Sequence, residues 1–178
     1  MRRDLDVEQI GTMAALLEDA TPLQLAAEGV WRSTHFAVVG RVQVRWEQGM
    51  WNEWYCVFDD GRGGWLTDAV GEYSVSFATT VAEALPAFTA LVPGERVTLG
   101  GVSYEVTDRR EAHVVGGEGE LPFAVEPGRK TPTADLRTST AQFATLDYSD
   151  DPPRLYLGEV VELAALRLRG LREFDGWR

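Results

Sequence analysis

The chain carries one small β-pattern twice, and that duplication limits the folds open to it more than any other feature. His35-Phe36-Ala37-Val38-Val39-Gly40-Arg41 reads like Ser103-Tyr104-Glu105-Val106-Thr107-Asp108-Arg109, at a constant offset of 68. Farther on, Val57-Phe58-Asp59-Asp60 … Trp65-Leu66 reads like Leu146-Asp147-Tyr148-Ser149-Asp150-Asp151 … Tyr156-Leu157. A repeated unit leaves an apolar face that needs covering, so each copy is expected to hide its apolar side against its sibling.

The local patterns agree with such a repeat. From Phe36 to Trp46 the even positions Phe36, Val38, Val42, Val44 and Trp46 are apolar, while Arg41, Gln43 and Arg45 are polar. Period two marks a strand with two unlike faces, and Gly40 interrupts the apolar row as a bulge would. Glu47-Gln48-Gly49, Asp59-Asp60-Gly61-Arg62-Gly63-Gly64 and Gly71-Glu72 turn the chain between Trp51–Asp59, Trp65–Val70 and the row Tyr73, Val75, Phe77. Gly100-Gly101 between Val97/Leu99 and Tyr104/Val106 is a two-residue hairpin signal, and Phe143–Tyr148 with Arg154–Val161 form a last hairpin. Asp6–Ala20 has helical spacing (Val7, Ile10, Ala14, Leu17), with Asp6 and Gln9 as a capping box and Pro22 as the stop.

The expected fold is therefore all-β with minor α: two tandem related antiparallel units, each small-barrel or sandwich-like, behind a short N-terminal helix. The expected divisions are 1–22 (helix), 23–78 (first unit), 79–92 (linker with short helical turns) and 93–178 (second unit), with 127–140 as a mobile insertion. Phe36, Val38, Val42, Val44, Val57, Leu66, Val97, Leu99, Tyr104, Val106, Phe123, Leu146, Tyr156 and Leu157 are expected in the core.

A net charge of −11 weighs against nucleic acid and against anionic membrane surfaces, both of which call for a basic face. Cys56 is the only cysteine, so there is no intrachain disulfide. No apolar stretch approaches the ~20 residues of a membrane span, and no signal-peptide pattern follows Met1, so a cytoplasmic location is expected. Lys130 stands alone among many arginines, as in proteins of G+C-rich bacteria.

The densest chemical cluster is aromatic and acidic: Trp51, Glu53, Tyr55, Asp59, Asp60 and Trp65. Aromatic faces attract ammonium and guanidinium groups, and carboxylates complete such a site, so these six are the candidate ligand-binding residues. The same aromatics would equally serve as barrel core, with the aspartates as turn formers. His35 and His113 lack metal-ligand spacing, Cys56 reads as a buried inert thiol, and no cofactor, metal or catalytic set is expected. Glu118, Glu120, Glu126 and Asp135 would act as acid–base groups only if the fold brought them together.

The combination Phe36-x-Val38-x-Gly40-Arg41, Trp51-Asn52-Glu53-Trp54-Tyr55, Asp59-Asp60-Gly61 and Trp65-Leu66 resembles the bacterial family of domain of unknown function 4178. So do Gly94-x-x-Val97-x-Leu99-Gly100-Gly101-x-x-Tyr104-x-Val106, Glu118-Gly119-Glu120-Leu121-Pro122, Ala134-Asp135-Leu136, Phe143–Tyr148 and Leu155-Tyr156-Leu157-Gly158. The resemblance runs from about Leu23 to about Leu168. Ala26 stands where the second copy has Gly94, so the first copy's opening turn is expected to differ. The resemblance implies no established activity; it implies an association with genes for spermidine-synthase-like enzymes and small membrane proteins. The function expected is a non-enzymatic binding or adaptor module, for a protein partner at a sheet edge or for a cationic small molecule such as a polyamine. The alternative is an accessory enzyme of polyamine-type metabolism.

Overall fold

The computed structural model describes residues 16–174. Eleven strands are named in chain order: β1 Glu28–Trp31, β2 Thr34–Trp46, β3 Gly49–Phe58, β4 Gly63–Ala69, β5 Glu72–Thr79, β6 Arg96–Leu99, β7 Val102–Arg110, β8 His113–Gly119, β9 Thr133–Arg137, β10 Gln142–Asp147 and β11 Arg154–Val161. Short 3-10 turns occupy Phe88–Ala90 and Leu163–Leu166. All strands join one antiparallel sheet in the order β1-β2-β3-β4-β5-β11-β10-β9-β7-β6, with β8 on β2. Residues 16–20 are not helical, and the rest of the expected helix, Asp6–Ala15, lies outside the described residues.

The all-β expectation holds, but as one large sheet not closed into a barrel. β2 is long enough to pair β1 along its first half and β8 along its second. β7 runs into β8 through Glu111-Ala112 without pairing with it, and β8 hydrogen-bonds back onto β2.

The repeat survives in backbone detail. At the offset of 68, the Ala26 amide donates to the Val38 carbonyl as Gly94 does to Val106, and the Val38 amide donates to Ala27 as Val106 does to Glu95. Arg32-Ser33 and Gly100-Gly101, the tips of the β1–β2 and β6–β7 hairpins, all have positive φ. Register shifts fall between Val38 and Gly40 and between Val106 and Asp108. Ala26 (φ 67°) and Gly94 (φ 93°) are both left-handed, so the opening turns match after all; alanine accepts the strained conformation because the hydrogen bonds around it are the same.

Beyond the bulge the offset becomes 80. Trp54 pairs with Leu66 as Ala134 pairs with Leu146, and Leu66 pairs with Val75 as Leu146 pairs with Leu155. The partner of Trp65-Leu66 is thus Thr145-Leu146, and the expected match to Tyr156-Leu157 is corrected. Twelve extra residues in the second copy, between Val114 and Arg129, account for the change.

Each copy's apolar face is covered largely by the segment that trails the other copy. Phe36, Val38, Trp54, Cys56, Phe58, Leu66 and Val75 pack beneath Leu23, Ala27, Leu163, Leu166, Leu168 and Leu171. Leu99, Tyr104, Val106, Ala134, Leu136, Ala144, Leu146 and Leu155 pack beneath Val81, Leu85 and Leu91. The siblings thus give each other the expected cover, but through these trailing segments and not sheet face to sheet face. They meet through β5–β11 and β2–β8, and the opposite, more polar faces of the two copies line a common cavity. Of the expected core, Val57 and Phe123 are exposed and Val97, Tyr156 and Leu157 are half-buried; the rest is buried. The expected mobile stretch 127–140 contains strand β9, whose Ala134 and Leu136 are core.

Candidate functional site

The cavity between the copies has a volume of about 150 Å³. Strand alternation aims every second residue into it: Val42 and Val44 from β2, Trp51 and Glu53 from β3, Trp65 and Thr67 from β4, Ser76 from β5. The second copy contributes Thr133, Thr145, Asp147 and Tyr156, and the twelve-residue excess forms the remaining wall with Phe123, Val125 and Glu126. Phe123 stacks on Trp65 at 5.7 Å between ring centroids, which explains an apolar residue left at the surface.

Glu53 is a half-buried acid of the cavity wall, closely surrounded by protein. Its carboxylate accepts hydrogen bonds from Trp51 Nε1 (2.7 Å) and Thr67 Oγ1 (2.6 Å). Among the described residues, those two neutral donors are its only side-chain hydrogen-bond partners. Removal from water pushes the Glu53 carboxyl up to about 7; the two hydrogen bonds oppose this, and the fields of Asp135 and Asp147 add to it. Asp147 is better served. It accepts from the Ser149 amide (2.8 Å), from Ser149 Oγ (2.5 Å) and from Thr131 Oγ1 (3.5 Å).

The two walls are related by the repeat but chemically unlike. The cross-strand pair Glu53–Thr67 is answered by Thr133–Asp147, with acid and hydroxyl exchanged between strands. The pair Tyr55–Trp65 is answered by Asp135–Thr145, whose side chains are hydrogen-bonded at 2.9 Å. A smaller cavity of about 50 Å³ shares Trp51, Glu53, Thr67, Thr133 and Thr145 with the first. Arg110 reaches it, over the rings of Trp46 and Trp51 at 5.1 and 5.4 Å, and pairs with Asp108 (2.7 Å) and Asp135 (3.0 Å). Burial pushes the Asp135 carboxyl up despite Arg110 beside it. Part of the aromatic–acid cluster therefore already holds a cation, the protein's own.

Of the six candidate residues, Trp51, Glu53 and Trp65 line the main cavity. Tyr55 packs on Trp65 at 5.1 Å without lining it. Asp59 and Asp60 belong to the β3–β4 turn, where Asp59 faces His35 at 3.7 Å and Asp60 pairs with Arg62; they are turn formers. Glu118 reaches Arg41, Asp135 holds Arg110 and Glu126 lines the main cavity, so the four loop acids form no common group. Cys56 is buried, and burial pushes its thiol up to about 12. Thr67, Asp147, Tyr156, Arg129 and Arg154 were not marked by the sequence, because isolated polar residues on short strands look like any solvated face until the partner strand is known.

Among the described residues no helix is long and apolar enough to cross a membrane. No curated protein and no solved structure matches the chain. One family profile does match, described as a domain of unknown function (DUF4178), over residues 24–163, which spans both copies of the repeat and the whole cavity. The chain belongs to that family.

Proposed function

We propose that the protein is a binding module that takes a small organic cation into the cavity between its two copies. The observation that carries this is Glu53: a carboxylate at the floor of a cavity with indole rings beside it and hydrogen bonds from neutral donors only. A desolvated carboxylate without a counter-ion is costly, and an ammonium group supplies what it lacks. Trp65 and Tyr156 offer aromatic surface to the same charge. A sheet edge is less suited to a protein partner. β6 ends the sheet with four residues, and its Arg96 folds onto Ser103, a short charged edge of the kind that resists strand addition.

Titration of putrescine and spermidine at physiological salt, followed by tryptophan fluorescence, tests the reading. Binding is expected, with an affinity about tenfold higher at pH 8 than at pH 6, because Glu53 ionises across that range. Glu53→Gln is expected to abolish both the binding and its pH dependence. No response from either amine in the native protein would sink the proposal.

A second reading, an accessory enzyme acting on such amines, draws on the near-neutral Glu53, which suits proton transfer at pH 7. Mass spectrometry of a bound amine after prolonged incubation separates the two: an unchanged mass supports the binding module.

A further inference from the structure

The cation reading concerns the floor of the cavity; its rim is built for the opposite charge. Arg129, on the loop between β8 and β9, and Arg154, at the start of β11, both line the cavity and are partly exposed. The two guanidiniums converge on one carboxylate. Arg129 meets Asp150 Oδ1 at 2.6 Å and Arg154 meets Asp150 Oδ2 at 3.1 Å. Arg129 also donates to the Ser149 carbonyl at 3.1 Å. Asp150 belongs to the turn between β10 and β11, outside any strand, so it is free to give way to another carboxylate. A pair of arginines gripping the two oxygens of one carboxylate is a carboxylate receptor, filled here by the chain's own side chain.

Floor and rim are thus opposite in what they lack. The floor has an acid without a cation, and the rim has two cations sharing a single acid. Tyr156, which lines the same cavity, is close to both Arg154 and Glu53. Asp147, the other acid of the wall, is already occupied by Ser149 and Thr131. Glu126, on the same loop as Arg129, opposes an anion at the rim, but it is exposed and its repulsion is screened by water and salt.

Resting on the cation reading, we propose that the ligand is a short zwitterion. Its ammonium group meets Glu53, and its carboxylate joins or displaces Asp150 between Arg129 and Arg154. The volume, near that of a single aromatic ring's cavity, restricts the linker to a few carbon atoms.

A matched four-carbon series tests this with the full chain at pH 8: γ-aminobutyrate, n-butylamine, putrescine and butyrate, each titrated by tryptophan fluorescence and calorimetry. γ-Aminobutyrate is expected to bind at least tenfold tighter than n-butylamine. Arg154→Gln is expected to erase that advantage, so that γ-aminobutyrate binds no tighter than n-butylamine, and its circular dichroism spectrum checks that the variant is folded. Equal or tighter binding of n-butylamine or putrescine overturns the zwitterion and leaves the cation reading standing. Binding of butyrate alone, or of no probe, overturns both.

Discussion

At the scale of single residues, Glu53 is the group whose chemistry is furthest from ordinary. Its folded-state value is raised from 4.5 to about 7, so the folded protein holds this proton more tightly than the unfolded chain. The stabilising contribution is complete below pH 4.5 and is lost as pH rises through 7. The range amounts to roughly 3 kcal/mol at 1.36 kcal/mol per pH unit. Glu53→Gln keeps an acceptor for Trp51 and reverses the Thr67 hydrogen bond, its amide donating to Thr67 Oγ1, while removing the charge. Its melting temperature is expected to match the native protein near pH 4.5 and to exceed it by several degrees at pH 8. Equal melting temperatures at pH 8 would show that the carboxylate is solvated after all. The sequence marked Glu53, Asp59 and Asp60 alike because large aromatics stand beside them; the fold places Glu53 in the cavity wall and the two aspartates in a turn. Proximity along the chain cannot tell a strand residue from the turn that follows, and here the turn carries its aspartates out of the cavity.

At the scale of elements, the hairpins were legible wherever one face of a strand is apolar and the other wet. β2, β4 and β6–β7 obey that rule. β9 escaped because its alternate residues Thr133, Asp135 and Arg137 face cavities, so only Ala134 and Leu136 betray a buried side, and polar residues surround them. A polar interior between two sheets makes a strand read as a loop. The same blindness misaligned the second half of the repeat, since the twelve extra residues include most of β8, whose glycine-rich Gly116-Gly117-Glu118-Gly119 does not read as a strand. The β1–β2 hairpin offers a test of the equivalence. Ala26 holds φ 67° where its counterpart Gly94 holds φ 93°. Left-handed backbone costs a residue with a Cβ about 1 kcal/mol or more relative to glycine, so Ala26→Gly is expected to stabilise the protein by ~1 kcal/mol in urea unfolding. A loss of stability would mean that the alanine methyl is needed in the first core.

At the scale of the molecule, two seams hold the copies together, and both depend on glycine. A Cβ on Gly158 would collide with the Val75 carbonyl across the β5–β11 seam; one on Gly40 would collide with the Glu120 carbonyl beside the β2–β8 seam. Five of the six tryptophans, Trp31, Trp46, Trp51, Trp54 and Trp65, belong to the first copy, so fluorescence reports mainly on it, whereas circular dichroism reports on both. Native unfolding is expected to give coincident transitions by the two probes, as one cooperative unit requires. Gly158→Val is expected to separate them, leaving each copy to melt over its own core; a variant that still unfolds in one step would show that β2–β8 suffices as the joint.

The exchange of acid and hydroxyl between the two walls has a further effect. Had both copies kept identical linings, a guest lying on their dyad would fit equally well head first or tail first, and the protein could not tell its ends apart. With Glu53 answered by Thr133, and Trp65 by Thr145, that degeneracy is gone. Divergence after duplication has turned a symmetric slot into one with a single way in.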